Sequence, residues 1–83
     1  MNVTAVERLS AEEVLDRLRA VRLRLARARN VPPYVIFHDT TLRELARVKP
    51  RSVEELGGIY GIGASKAARF GADFVEEIAR LRP

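Results

Sequence analysis

The chain is 83 residues long, 47% hydrophobic and 31% charged, with one histidine and no cysteine. This length supports one domain with a single modest core, the composition is that of a folded globular chain rather than a disordered or membrane one, and the missing cysteines exclude disulfides and cysteine-based metal sites. Fifteen basic residues against 11 acidic ones leave a net charge of +4, which points toward nucleic acid or another polyanion as partner. Because thirteen of the fifteen are arginine, a proteome rich in arginine codons is an alternative source of the bias. No apolar run approaches the ~20 residues of a membrane-spanning helix, and no basic head with an apolar core marks a signal peptide. The expected location is intracellular and cytoplasmic, with no membrane partner, no metal and no cofactor.

Residues 1–9 lack periodicity and read as a linker, with the folded domain expected over residues 10–83. Ser10-Ala11-Glu12-Glu13 is a capping box: the serine hydroxyl takes the Glu13 amide, and the Glu13 carboxylate returns to the Ser10 amide. Beyond it Val14, Leu18, Val21 and Leu25, flanked by Leu15 and Ala28, recur at helical spacing. Glu13 with Arg17 and Asp16 with Arg19 stand where opposite charges support a helix. Arg19 and Arg27 are expected to face solvent, while Arg17 and Arg24 border one edge of the apolar face and Arg22 and Arg29 the other. Arginines crowding the last turns also suit the negative end of the helix dipole. The first helix is predicted over Ala11–Arg29.

Val31-Pro32-Pro33-Tyr34-Val35-Ile36-Phe37-His38-Asp39-Thr40-Thr41-Leu42 follows, the densest apolar run in the chain. Neither proline fits a helix interior, and each extends the residue before it, so the first helix must stop near Asn30. Tyr34 to Phe37 has strand propensity but no second strand to pair with. An extended or single-turn plug is expected, driving Val35, Ile36 and Phe37 into the core, with His38 or Asp39 opening the next helix.

Leu42, Leu45, Ala46 and Val48 predict a short helix over residues 40–48, closed by Pro50. Ser52-Val53-Glu54-Glu55 is a second capping box, opening a helix of about a turn and a half that Gly57-Gly58 ends in a left-handed cap. Ala67, Phe70, Phe74, Ile78 and Leu81 recur at steps of three and four, predicting a helix over residues 64–81 with a bend or break at Gly71. The fold class is all-α: a compact bundle of four to five short helices, with the Pro-Pro plug after the first.

Catalytic patterns are missing. His38 is the sole imidazole, with no serine, thiol or metal-spacing cluster beside it, and fits a half-exposed residue at a helix start. Without a P-loop or a dinucleotide fingerprint, the chain alone is not expected to be an enzyme. Leu56-Gly57-Gly58-Ile59-Tyr60-Gly61-Ile62-Gly63-Ala64-Ser65-Lys66-Ala67 says more. Its apolar–X–Gly–apolar–Gly run resembles the hairpin of helix-hairpin-helix DNA-binding modules, where bare backbone N–H groups at a helix N-terminus hold a phosphate and Lys66 would add a cation. The alternative is that Gly61 and Gly63 serve only a tight turn, with Ile59 and Ile62 in the core. Tyr34, held stiffly by two prolines, offers a ring to an unstacked base, with Arg27 and Arg29 just upstream; the alternative is a ring that caps the core with its hydroxyl in water.

VPPYVIFHDTTLRELA resembles the central signature of HRDC domains, the helicase-and-RNase-D C-terminal module, and is more similar to the copies in RecQ-type helicases than to those of RNase D-type exonucleases. The likeness continues through Pro50, Glu55-Leu56, Gly61-Ile62-Gly63, Lys66, Phe70-Gly71, Phe74 and Ile78. It implies a helical bundle without catalysis of its own, an auxiliary module that binds single-stranded or junction DNA or docks on other domains of a helicase. Carried over, the Pro-Pro-Tyr tyrosine is Tyr34 and the lysine after the Gly-X-Gly turn is Lys66. Three positions depart from the pattern: His38 stands where a small polar cap is usual, Gly57-Gly58 replaces a more apolar helix end, and Phe70 replaces a frequent tyrosine.

Two functions therefore stand side by side. The first is DNA binding through Tyr34, Lys66, Arg24, Arg27, Arg29, Arg69, Gly61 and Gly63. The second is docking on a neighbouring domain through an acidic patch of Glu54, Glu55, Asp73, Glu76 and Glu77, since a surface with segregated charge suits a charged partner domain. The module is expected to be monomeric by itself.

Overall fold

Ser10 opens the first helix as its sequence requires. In the computed structural model, which describes residues 9–82, Ser10 Oγ accepts from the Glu13 amide at 3.2 Å and Glu13 Oε1 accepts from the Ser10 amide at 2.8 Å. The helix this box starts, α1, runs Ala11–Arg29 and ends where Asn30 turns left-handed at φ 56°. Its buried stripe is Val14, Leu15, Leu18, Val21, Leu25 and Ala26. Ala26 thus takes the place expected for Ala28, which is exposed. The linker expected over residues 1–9 lies outside the described residues except for Leu9, which is half-buried against the core.

The crossing after α1 is a single turn of 3-10 helix, Pro33–Val35. Pro32 is extended, Pro33 supplies the first residue of the turn, and the Val35 and Ile36 amides bond back to Pro32 and Pro33 at 3.0 Å. A 3-10 turn rotates side chains by a third of a circle per residue. Ile36 and Phe37 therefore point inward, at 0% and 1% exposure, while Val35 faces water at 38% instead of joining the plug. Phe37 sits centrally, with its ring 5.1 Å from that of Phe74 and 6.4 Å, edge-on, from that of Phe70.

The second helix, α2, spans Asp39–Val48, one residue earlier than expected, and stops at Lys49, left-handed at φ 52°. It buries Thr41, Leu42, Leu45 and Ala46. Val48, expected on that face, is exposed. The next element is also a 3-10 turn, Glu54–Gly58, in place of the predicted α-helix. Ser52 Oγ does accept from the Glu55 amide at 3.3 Å, but the Glu55 carboxylate caps the Arg51 amide at 2.9 Å rather than that of Ser52. With the box shifted by a residue, the segment tightens, and Gly57 and Gly58 lie inside the turn without a left-handed φ.

The left-handed glycine comes later. The Ile62 amide bonds the Ile59 carbonyl at 3.1 Å, and Gly61, at φ 90°, takes the third position of this tight turn, as a type II turn requires. The third helix, α3, spans Ala64–Leu81 without interruption. Gly71 is no break point: it is buried, and a Cβ there would occupy the space of the Leu56 side chain, so the glycine lets the second 3-10 turn seat against α3. The described residues thus form three α-helices and two 3-10 turns, not four or five helices. The first helix packs on both others and on the Pro33–Val35 turn.

Phe37 and Phe74 are both almost wholly enclosed. Phe37→Ala and Phe74→Ala should each lower unfolding free energy by about 3–5 kcal/mol, measured by urea denaturation.

Candidate nucleic-acid interface

Tyr34 occupies the middle of the Pro33–Val35 turn, whose backbone is held by Pro33 and by the bonds from the Val35 and Ile36 amides to Pro32 and Pro33, and the residue remains 59% exposed. Four residues on, His38 precedes the first residue of α2 without capping it by a side-chain hydrogen bond. The two rings stack, with centroids 6.0 Å apart and planes 20° from parallel. The sequence reading treated His38 as an isolated helix-start residue; the fold makes it the second half of an exposed aromatic ledge.

Arg22 holds that ledge in place. Its Nη1 donates to the Phe37 carbonyl at 2.9 Å, and its Nη2 lies 2.8 Å from Asp39 Oδ1, so one guanidinium grips both residues that flank His38. The side chain is only 13% exposed, and its buried Nε has no hydrogen-bond partner among the described residues. Asp39 Oδ2 also accepts from Arg19 at 3.3 Å, and Arg19 in turn pairs with Asp16 at 3.1 Å. Arg19, expected to face solvent, is therefore half-buried in an ion-pair chain. The hydrogen bond from Arg22, reinforced by that from Arg19, holds the Asp39 carboxyl below its ordinary range despite opposing desolvation. The four charges sum to zero, so the ledge base carries no net charge of its own.

The other expected cations divide. Arg29 and Arg69 both lie over the Phe70 ring, their guanidinium carbons 4.7 and 5.0 Å from its centroid. An α1 residue and an α3 residue thus converge on one cation–π platform, whose underside touches Phe37. Arg27 is exposed and forms no ion pair among the described residues. Arg24 instead faces Asp73 at 3.8 Å, which joins a member of the expected DNA-binding set to a member of the expected acidic patch. Lys66 is half-buried in the first turn of α3, after Gly63, which occupies the N-cap position without a side-chain cap. Of the acidic residues, Glu77 pairs with Arg80 at 3.7 Å and Glu55 serves the Arg51 amide, whereas Glu54 and Glu76 are exposed without an ion pair among the described residues.

The turn before α3 is anchored to α2. Thr41 Oγ1 donates to the Tyr60 carbonyl at 3.3 Å and packs directly on Gly61. Ile59 and Ile62 are buried on either side, as the tight-turn reading expects. Between them Tyr60 is 87% exposed, a residue the sequence reading passed over.

The HRDC domain family model matches residues 11–78. The chain belongs to the HRDC family. This HRDC domain is 42% identical over 67 residues to the ATP-dependent DNA helicase RecQ of Bacillus subtilis, covering 81% of this chain and 11% of that protein. It is 41% identical over 64 residues to RecQ of Haemophilus influenzae, covering 77% and 10%. A helicase of another name, the ATP-dependent DNA helicase UvrD2 of Mycobacterium tuberculosis, is 42% identical over 65 residues, covering 78% and 9%. The chain spans about a tenth of the length of these relatives. HRDC domains are non-catalytic accessory modules. No helix of the described residues is long and apolar enough to cross a membrane.

Because the folded pKa of Asp39 lies below its unfolded value, its ion pairs stabilise the fold fully above the ordinary aspartate range, about 3.9, and the contribution is lost as pH falls through the lower folded value. The stability difference between the wild type and Asp39→Asn should therefore be largest near neutrality and shrink below about pH 4, read from urea midpoints across that range. A constant difference would mean that the carboxylate charge is not what Arg22 and Arg19 use.

Proposed function

We propose that this HRDC domain is an auxiliary DNA-binding module of a RecQ-type helicase, taking single-stranded or junction DNA and adjusting which DNA structures the larger enzyme engages in repair and recombination. The observation that carries the reading is the Tyr34–His38 ledge: an aromatic surface more than half open to water, on a turn too constrained to collapse onto the core. A base stacking there meets a ring whose backbone is already fixed, which lowers the ordering cost of binding. Arg27, Arg29, Arg69 and Lys66 are the cations available to a phosphate backbone, and the uncapped first turn of α3 offers backbone N–H groups. The names of the similar proteins, all ATP-dependent DNA helicases, are consistent with that partner.

The docking reading draws less support. Asp73 and Glu77 are already paired with arginines and Glu55 with a backbone amide, so the acidic residues do not present one open field to a partner domain.

Tyr34→Ala should weaken binding of a short single-stranded oligonucleotide by about 1–3 kcal/mol while leaving the thermal midpoint unchanged, measured by fluorescence anisotropy. The wild-type affinity should fall with salt at a log–log slope near −0.7 per neutralised phosphate. Unchanged affinity in a folded Tyr34→Ala protein, together with a flat salt response, would remove the DNA-binding reading and leave docking.

A further inference from the structure

Tyr60 carries the largest exposed apolar surface among the described side chains. Single exposed apolar residues are common and need no special role, but this one differs in its support. Its neighbours Ile59 and Ile62 are buried, its own carbonyl is held by Thr41, and the following Gly61 is pressed on Thr41 with a left-handed φ. The backbone under the ring is thereby clamped on both sides and from beneath, while the ring itself buries almost nothing. Such a tyrosine gives up only two side-chain torsions when it meets a partner.

Its place in the fold is equally specific. Thr41, which holds the Tyr60 carbonyl, is also the residue whose amide bonds the His38 carbonyl at 3.1 Å. His38 and Thr41 are one turn of α2 apart, a rise of about 5 Å. The Tyr34–His38 ledge and the Tyr60 backbone therefore both adjoin the first turn of α2, one at its start and the other at Thr41. The acidic residue that opens this turn, Asp39, is neutralised by Arg22 and Arg19. Beyond Tyr60 the chain runs directly into the uncapped first turn of α3 and Lys66.

We propose that Tyr60 is a second base-stacking residue, so that one single strand lies across both aromatic surfaces, with a base on the Tyr34–His38 ledge, a base on Tyr60, and phosphate between Tyr60 and Lys66. This rests on the DNA-binding reading and extends it: the site takes a strand of about four nucleotides rather than a single flipped base. Shorter ligands reach one surface only.

The chain has two tyrosines and no tryptophan, so 3-fluorotyrosine labelling gives one 19F signal for each ring, assigned with Tyr34→Phe and Tyr60→Phe. Titration with an eight-residue oligothymidylate should shift both signals, whereas a thymidine dinucleotide should leave that of Tyr60 in place. An abasic oligomer of the same length should also leave Tyr60 unshifted, which separates stacking from attraction to phosphate. Tyr60→Ala should reduce affinity for the octamer roughly five-fold or more, with Tyr60→Phe retaining it and thermal midpoints unchanged. If the octamer shifts Tyr34 alone and Tyr60→Ala binds as wild type, the second stacking residue is overturned while the DNA-binding reading stands. If neither signal moves at saturating octamer, both fall together.

Discussion

Arg22 is the constraint on which the working end of this domain depends. An arginine side chain only 13% exposed is stable only if its donors are used in the right plane, because an uncompensated buried charge is costly. Here two donors are used, one on the Phe37 carbonyl and one on Asp39. Phe37 is the ring around which Phe70 and Phe74 assemble, and Asp39 is the first residue of α2. One side chain therefore joins α1 to the core plug and to the start of α2, and it sets where His38 stands between them. A lysine could satisfy one of these acceptors but not both, since it lacks the planar fork. The orphaned Nε is the part of this arrangement that the protein leaves uncompensated.

A second clamp meets the first. Among the described residues Thr41 is the one buried polar side chain, and its hydroxyl fixes the glycine turn to α2 just beyond the segment Arg22 controls. Both aromatic surfaces thus ride on backbone held by hydrogen bonds to buried or half-buried groups, not on free loop. The chain keeps its exposed rings stiff from below and leaves their faces open, and that arrangement favours stacking over packing. On the proposed reading, the cost of binding falls mainly on the nucleic acid, which must unstack and align.

How far the sequence foretold this depends on the range of the interactions involved. α1 was legible from end to end because its start is a local capping box and its burial follows a local period. α3 was equally clear in extent, and only the meaning of Gly71 was hidden, since the neighbour that needs the space, Leu56, belongs to another element. Tyr34 could be singled out because its neighbours are prolines, whose effect is local too. What escaped was set by distant partners. Asp39 draws Arg19 out of solvent from twenty positions away. Glu55 caps the Arg51 amide instead of that of Ser52, so only half of the expected capping box forms, and the short helix there is of the 3-10 type. Val35 was assigned to the core by composition, yet the tight turn rotates it outward. Tyr60 carried a weak local signal at most, an aromatic in front of a turn glycine; its exposure exists only once Thr41 is in place.

The pairing of charges bears on how strongly such a domain can hold DNA. Six arginines lie on α1, and from the sequence they look like a basic stripe. In the fold Arg19 and Arg22 are committed to Asp16 and Asp39, and Arg24 faces Asp73, so half of the stripe is answered from within. The long-range attraction that dominates non-specific affinity grows with the number of phosphates neutralised, and here few cations remain near the aromatic ledge to do so. On the proposed reading, stacking outweighs charge, and the isolated domain binds modestly with a shallow salt dependence. If the proposed helicase context holds, modest affinity is no defect, because tethering to a larger enzyme raises the local concentration to about the millimolar range. A weak, fast-releasing contact at that concentration can bias which strand is engaged without holding the enzyme back from moving along it.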